Sequence, residues 1–476
     1  MTRRARGPAG RAHPLALAAA TLAVAGCASL APPLPQGEPG IAAAWTEPAA
    51  APAAPPSAPP AAKLGWRDFF GDPALNELVA RALADNRDLR ATVLDVERAR
   101  ALYRVQRADQ FPTLGASALW LGSGGARVAG ARDEYTVGLG VTDFELDLFG
   151  RVRDLGRAAL ERYFAQEEAA RAARLVLVAE VANAYFTLAA DRGLEKIALA
   201  TLATQEAVYR LSEQRHALGA VSALDVAQAR TTVETARSDA ARYAGQVARD
   251  TNALQVLVGG AVDPRLLPGD FDASVRPVPR LPAGLPSEVL LQRPDVLAAE
   301  RRLAAANANI GAARAAFFPS IRLTGTFGTS SDALSALFGS GTRFWTLLPV
   351  ISVPIFEGGR LQGNLDAARA EQGIALAQYE RAVQAGFREV ADALALSGTL
   401  AQQLAAQQAL VDAAERANGL SRARYEAGRD SFLVVLDAER TFYAAQQSLL
   451  LTRLAEQNNR VALYKALGGG LEEGAR

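Results

Sequence analysis

The chain has 476 residues, which is enough for two to four domains of ordinary size. Its 51 basic and 50 acidic residues nearly cancel, so it lacks the basic excess that nucleic-acid binders normally carry. With one Cys and two His, it offers neither an intramolecular disulfide nor a cysteine-based zinc site. Half of the residues are hydrophobic but only 7% are aromatic, and the abundant Ala favours long, thinly packed helices.

The N-terminus has the pattern of an export signal. Four Arg residues precede a short apolar run over residues 14–25, which is too short to span a bilayer. The run ends in Val24-Ala25-Gly26-Cys27, which resembles the lipobox of bacterial lipoproteins. This resemblance implies that residues 1–26 are removed as a signal peptide and that Cys27 becomes the first residue, carrying acyl chains such as palmitate. An unmodified Cys in an ordinary signal peptide is the alternative.

The segment after this Cys is rich in Ala and Pro and almost uncharged over residues 28–62. Such a composition cannot bury a core and favours an extended chain. At ~3.1 Å per residue in a polyproline conformation, the segment would reach on the order of 100 Å. We therefore expect residues 27–63 to be a lipidated N-terminus followed by a tether.

The rest of the chain is built from two copies of one unit, residues 64–262 and residues 263–476. A shift of 209 residues places Gly219 on Gly428, and many neighbouring residues coincide in the same register. A shift of 207 residues places Phe111-Pro112-Thr113 on Phe318-Pro319-Ser320. Internal repetition at this length is stronger evidence for the architecture than any single motif.

Each unit contains, in the same order, a helix, two short strands and a helical hairpin. The first helices are predicted at about 73–108 and about 287–316. Alternation of apolar with small or polar residues over 135–142 predicts strands. Long Pro-free stretches predict helices at about 151–214 and 360–425. Apolar residues at spacings of three and four predict coiled-coil seams in the hairpins, in Val226, Ala229, Val233, Ala236, Ala240, Tyr243 and Val247, and in Val435, Ala438, Phe442, Ala445 and Leu449.

Four strands with an apolar face cannot close a membrane barrel, because bacterial barrels use eight or more. An open sheet edge in lipid leaves N–H and C=O groups without partners. Several chains must therefore share one barrel, and three chains would supply twelve strands and twelve helices. After the signal, no segment offers about 18 continuous apolar residues, so we predict no transmembrane helix.

These features resemble the lipid-anchored branch of the outer membrane factors of tripartite efflux pumps, the TolC-type outer membrane efflux proteins. The resemblance covers roughly residues 64–469. It is carried by a set of motifs, none decisive alone: Trp66-Arg67-Asp68-Phe69-Phe70-Gly71-Asp72-Pro73, Arg107-Ala108-Asp109-Gln110-Phe111-Pro112, Asp147-Leu148-Phe149-Gly150-Arg151, Gln292-Arg293-Pro294-Asp295-Val296, Pro354-Ile355-Phe356-Glu357-Gly358-Gly359-Arg360, Arg424-Tyr425-Glu426-Ala427-Gly428 and Leu436-Asp437-Ala438-Glu439-Arg440.

The family implies a mostly α-helical chain with a small β part. A homotrimer would share a twelve-stranded β-barrel, four strands per chain, continued by a long α-helical tunnel in the periplasm. The implied location is the outer membrane, held there by the lipid. The implied partners are two further copies of the chain, outer membrane lipid, a periplasmic adaptor (membrane fusion) protein and an inner-membrane pump of the resistance-nodulation-division type. Nucleic acid is not among them.

The resemblance also assigns roles to residues of the two hairpins. The turns would be periplasmic tips that contact the adaptor, through Gly219, Ser222, Gly428 and Ser431. After the second tip, Leu433 would be an apolar constriction, Asp437 an acidic gate residue and Arg440 its polar partner. The competing interpretation is that these residues are ordinary turns and a solvated helix face.

No catalytic constellation emerges from the sequence. Glu145 and Asp147 form a carboxylate pair, which we interpret as polar residues where barrel meets tunnel. His216 is expected on an exposed helix surface. Without a phosphate loop, a nucleophile in a triad or a metal cluster, we expect no enzyme, no metal site, and no cofactor apart from the lipid on Cys27.

The sequence thus predicts a passive exit duct for drugs or other small toxic compounds. Two alternatives remain at this point. The same architecture serves as the outer membrane channel of type I protein secretion systems, and the helical hairpins alone would suit a coiled-coil lipoprotein scaffold without a channel. An envelope hydrolase is a more distant alternative.

Overall fold

The computed structural model describes residues 29–45, 64–124, 132–271, 278–279 and 287–469. The predicted signal peptide and Cys27 lie outside these residues. The helices and strands follow the order predicted for two repeats. In chain order they are α1 (Trp66–Phe70), α2 (Pro73–Asp85), α3 (Arg87–Ala108), β1 (Leu114–Ser123), β2 (Arg132–Leu146), α4 (Arg151–Ala217), α5 (Ala223–Val258), α6 (Pro294–Ala315), β3 (Ser320–Ser331), β4 (Arg343–Ser352), α7 (Arg360–Glu426) and α8 (Phe432–Ala466). The prediction of a mostly helical chain with four strands is confirmed.

The chain forms two compact units, and each unit draws on both sequence repeats. Of the described residues, the first comprises 29–38, 95–124, 132–167 and 298–380. The second comprises 39–45, 64–94, 168–271, 278–279, 287–297 and 381–469. All four strands belong to the first unit, whereas both helical hairpins have their turns in the second.

The strands form one antiparallel sheet in the order β1-β2-β3-β4. Directly paired residues point to the same face of a sheet. Leu139 pairs with Phe327, which pairs with Trp345, and all three are exposed, so one face carries a row of large apolar side chains. The adjacent row on the other face carries Gly140, Thr326 and Thr346. The predicted division into an apolar face and a small, polar face is therefore present.

Two of the predicted helices begin or break differently from the sequence prediction. The helix expected over 73–108 is interrupted at Asn86, whose side-chain oxygen accepts a hydrogen bond from Leu89 N at 2.8 Å and starts a new helix. The helix expected from 287 begins instead at Pro294, because Pro favours the first helical position. Residues Ser287–Gln292 before it form a 3₁₀ turn.

The core of the second unit collects aromatic side chains around α1. Phe69 stacks on Tyr464 with ring centroids 4.0 Å apart, and the Tyr464 hydroxyl donates to Leu64 O at 2.9 Å. Tyr185 donates from its hydroxyl to Asp72 Oδ2 at 3.1 Å, and both residues are buried. The seam residues Ala229, Val233 and Ala236 are also buried, as the heptad spacing predicts.

Helix α4 contains an 18-residue stretch that is apolar and long enough to cross a membrane by length and composition. Half of that stretch is buried within the protein. A helix in the core of a protein can have the same length and composition. Residues 177–194 of α4 supply much of the core of the second unit. One such stretch is weak evidence for a membrane span.

Residues 29–45 are extended, as predicted, but they are not a free tether. Residues 29–38 hydrogen-bond to helices of the first unit. In the second unit, Trp45 stacks on Phe387 at 5.3 Å and donates from Nε1 to Phe387 O at 2.9 Å. An extended Pro-rich chain leaves its carbonyl oxygens unpaired, so side-chain donors on neighbouring helices can hold it.

Candidate functional site at the hairpin tips

The turns of the two hairpins have the same backbone geometry. Gly219 and Gly428 adopt φ values of 74° and 68°, in the left-handed region where Gly carries no steric penalty. At the first turn, Ala220 N donates to Arg215 O at 2.8 Å, and at the second, Arg429 N donates to Arg424 O at 2.9 Å. This is the hydrogen-bond pattern of a Schellman motif, which ends a helix and reverses the chain.

The two tips differ in how the returning helix is capped. Ser222 forms a capping box, because its hydroxyl accepts from Asp225 N at 3.1 Å while Asp225 Oδ2 accepts from Ser222 N at 3.0 Å. Ser431 makes no side-chain capping bond. The second tip is held instead by Arg424, whose Nε and Nη2 donate to the two carboxylate oxygens of Asp430 at 2.6 and 2.9 Å. The Arg424 guanidinium lowers the pKa of the Asp430 carboxyl.

Residues of both tips line one cavity of about 550 Å³ within the second unit. Three of the four predicted adaptor-contacting residues, Gly219, Ser222 and Ser431, line it directly. Gly428 lies three residues before Ser431 in the same turn. The structure therefore brings the two predicted tips together, although they are more than 200 residues apart in sequence.

The three predicted gate residues lie on one wall of a neighbouring groove. Leu433, Asp437 and Arg440 are all exposed and line a cavity of about 660 Å³ bounded by α4, α5 and α8. Arg440 Nη2 donates to Asp437 Oδ1 at 2.6 Å, as an i,i+3 pair within α8. Within this chain, the predicted ion pair therefore forms along one helix. Opposite, Asp239 on α5 accepts from the Tyr443 hydroxyl at 3.0 Å. Burial, together with this hydrogen bond, raises the pKa of Tyr443.

Sequence reasoning missed a buried polar network next to this groove. Glu439 accepts from Arg422 Nε at 2.9 Å and from Gln205 Nε2 at 2.6 Å. Gln205 Oε1 in turn accepts from the Thr232 hydroxyl at 2.9 Å. The network joins α4, α5, α7 and α8. The sequence contained one indication of this network. Glu439 follows the seam residue Val435 by four positions, and this spacing places its carboxylate on the buried face of the helix.

The other polar residues named in the sequence analysis contact neighbouring groups of the chain. Glu145 accepts from Arg151 Nε at 2.8 Å, and Asp147 accepts from the backbone N of Arg153 at 2.8 Å, at the junction of β2 and α4. His216 Nδ1 lies 2.9 Å from Val221 O within the first tip. In the described part of the chain, no group of three or more His, Cys, Asp or Glu side chains is placed to hold a metal ion.

Comparison with known proteins shows which family has this architecture. The family model for outer membrane efflux proteins matches residues 78–260 and 285–469, once in each repeat. The antibiotic efflux pump outer membrane protein ArpC of Pseudomonas putida is 44% identical over 470 residues, 96% of each chain. The toluene efflux pump outer membrane protein TtgI of P. putida is 46% identical over 413 residues, 85% of this chain and 87% of TtgI.

Among solved structures, the open state of the outer membrane channel MtrE of Neisseria gonorrhoeae superimposes with a TM-score of 0.85 and 40% identity. The superposition covers 93% of this chain and 99% of MtrE. The chain belongs to the outer membrane efflux protein family. Like these relatives, it is a protein of the outer membrane.

Proposed function

We propose that this chain is the outer membrane channel of a tripartite efflux system and passes small toxic compounds out of the cell. The observation that carries the proposal is a four-stranded sheet whose two outer edges have no strand partner among the described residues, in a chain that matches the efflux family through both repeats. The duct is passive, and its energy comes from an inner-membrane pump. We propose no enzymatic activity and no cofactor other than a lipid on Cys27.

The sheet supports assembly as a homotrimer. Among the described residues, the outer edges of β1 and β4 have no strand partner. An edge in lipid is costly because its backbone groups cannot bond to water. Pairing β4 of one copy with β1 of the next removes every edge, and three copies give a twelve-stranded barrel. The row of Leu139, Phe327 and Trp345 then faces lipid, and the row of Gly140, Thr326 and Thr346 faces the pore.

The hairpin tips support docking of a periplasmic adaptor. Both tips turn at a glycine with positive φ, and residues of both line one cavity. In the proposed pump, the adaptor engages Gly219, Ser222, Gly428 and Ser431 and links the channel to a resistance-nodulation-division pump. Leu433, Asp437 and Arg440 then act as the gate behind the tips.

Small compounds are favoured over proteins as the exported class. Relatives that match nearly the whole chain are named for efflux of antibiotics and toluene. A non-channel scaffold would leave the apolar row on the sheet without a role, since large apolar patches exposed to water are rare in soluble proteins.

Two measurements test the proposal. Light scattering of the unheated, detergent-extracted complex, with detergent subtracted, should give three chains per particle, whereas a monomer would contradict the shared barrel. Deletion of the gene should lower tolerance to toluene and antibiotics several-fold, with recovery from a plasmid copy. Unchanged tolerance together with loss of a secreted protein would instead favour type I secretion.

A further inference from the structure

Strand β2 carries one extra residue near the end that leads into α4. Its pairing with β3 shifts register between Val141 and Phe144, so that two residues of β2 lie opposite the single residue Thr324 of β3. Asp143 is one of the two. It has a φ of 57°, in the left-handed region, and its backbone N donates to the Thr324 hydroxyl at 3.2 Å. This arrangement is a β-bulge, which bends a strand and redirects its side chains.

The bulge decides which face of the sheet the last residues of β2 meet. An unbroken alternation from Leu139 would put Glu145 on the apolar face and Leu146 on the small, polar face. With the bulge, Glu145 pairs with Arg322, which lies four positions before Thr326 in β3 and therefore on the small, polar face. Leu146 lies instead on the apolar face. The bulge thus keeps carboxylates off the apolar face, where lipid would make them costly.

Two ion pairs form at this end of the sheet. Arg322 Nη1 donates to Asp143 Oδ2 at 2.9 Å and joins β3 to β2. Arg151 Nη2 donates to Glu145 Oε2 at 2.5 Å and joins α4 to β2. The first pair is in much greater contact with water, since the Asp143 side chain is 59% exposed and the Glu145 side chain 14%. Asp143 and Arg322 are therefore the charges of this end that act on ions in the adjoining water.

Small, uncharged side chains surround this exposed pair on the same face. Val350 of β4 pairs with Arg322, and the row of Gly140, Thr326 and Thr346 lies further along the sheet. The long Arg322 side chain therefore extends further from the sheet than the side chains of that row. A charge that projects from such a wall sets the local potential, because no neighbouring ionised group of that row offsets it.

We propose that Asp143 and Arg322 determine the selectivity of the channel between cationic and anionic solutes. The inference rests on the proposed function, in which three copies close a barrel whose small, polar face lines the pore. Three Asp143–Arg322 pairs, the charge belt, then surround the pore at the end of the barrel nearest the helices. Each pair is neutral as a whole, so the belt favours neither sign of charge. Loss of one partner leaves three like charges facing the ions that pass.

The reversal potential of the full-length trimer in planar bilayers, measured across a gradient of dilute KCl, tests the proposal. Arg322→Gln leaves three carboxylates and should raise the ratio of K⁺ to Cl⁻ permeability about threefold, since dilute salt screens them weakly. Asp143→Asn leaves three guanidinium groups and should lower the ratio by a similar factor. Asn is chosen because it tolerates a positive φ as Asp does. The double variant should return to the wild-type ratio.

Three controls separate charge from shape and from folding. Arg322→Lys keeps the positive charge and should keep the wild-type ratio. Asp133→Asn removes one charge from the same strand, at a residue that accepts a hydrogen bond from Trp120 Nε1 and lies on the apolar face with Leu139. Its ratio should equal wild type. The yield of trimer should also be unchanged in the belt variants, because an exposed ion pair contributes little to stability.

The outcomes distinguish the belt from the channel. Equal permeability ratios in wild type, Arg322→Gln and Asp143→Asn would overturn the charge belt and leave the channel standing, since ions would still pass. Shifts of the same sign in both variants would also overturn it, because removal of opposite charges must act in opposite directions. Trimers that conduct no ions, in wild type and in every variant, would contradict the proposed channel and the selectivity role with it.

Discussion

Glu439 on α8 accepts a hydrogen bond from Arg422 on α7 at 2.9 Å, and the carboxylate is almost fully buried where the two hairpins meet. Because Gln205 of α4 donates to the other carboxylate oxygen, the charge is shared between both repeats. Buried charge networks of this kind are costly when one member is removed, since the remaining polar groups lose their partners. The bond from Gln205 to Glu439 therefore couples the two hairpins close to the tips.

Glu439→Ala should destabilise this region by about 2 kcal/mol, the usual size for a lost charge-assisted hydrogen bond. Arg422 is partly exposed and can recover water, which keeps the loss below that of a fully buried pair. Amide exchange near Gln205 and Thr232 should increase, while exchange near α1 should not. Glu415→Ala, at an exposed position of α7, is the control, and an equal effect in both variants would exclude the coupling role.

Asp437→Ala combined with Arg440→Ala should raise single-channel conductance in planar bilayers without lowering the melting temperature. The pair is exposed and lies within one helix, so its contribution to stability is at most a few tenths of a kcal/mol. Its expected role is the charge it presents at the gate. The matched control is Asp366→Ala with Arg369→Ala, another exposed i,i+3 pair on α7. Unchanged conductance would count against the gate assignment.

Trp345→Arg and Thr346→Arg change neighbouring residues that point to opposite faces of β4. A lipid-facing Arg costs about 2–4 kcal/mol at mid-membrane and less toward the interfaces, whereas a pore-facing position is hydrated. We expect Trp345→Arg to reduce the amount of heat-modifiable trimer in the outer membrane severalfold and Thr346→Arg to leave it near wild type. The reverse order would mean that the faces of the sheet are assigned the wrong way round.

Asp191→Asn should change the pH dependence of stability. Burial and the neighbouring Asp250 carboxylate raise the pKa of Asp191 to about 7, from an ordinary value of about 3.9. The folded protein therefore holds a proton that the unfolded chain releases, so stability falls as the pH rises from about 4 to about 7. The melting temperature of Asp191→Asn should exceed that of wild type at pH 8, and the difference should shrink at pH 5.

A control for this prediction is Asp332→Asn, which changes an exposed carboxylate in the first unit. Its melting temperature should differ from wild type by the same small amount at both pH values. If Asp191→Asn and Asp332→Asn respond alike, Asp191 does not carry the proton in the folded state.

Most of the architecture followed from local chemistry. Pro-free stretches with heptad spacing predicted α4, α5, α7 and α8, and two-residue alternation predicted strands, because both signals depend on neighbours in sequence. The breaks at Asn86 and Pro294 were missed because capping competes with an otherwise helical pattern over single residues.

The sequence by itself determined the repeat, the four strands and the two glycine tips, since each of these depends on local residue order. The export signal stays a prediction from the sequence. Only the tertiary structure decided that Glu439 binds Gln205, 234 positions away in sequence, and that residues 29–38 hydrogen-bond to α4, α6 and α7. Helix packing determines which residues so distant in sequence come into contact. An extended Pro-rich segment has no periodic pattern from which the hydrogen-bond donors to its carbonyl oxygens could be predicted.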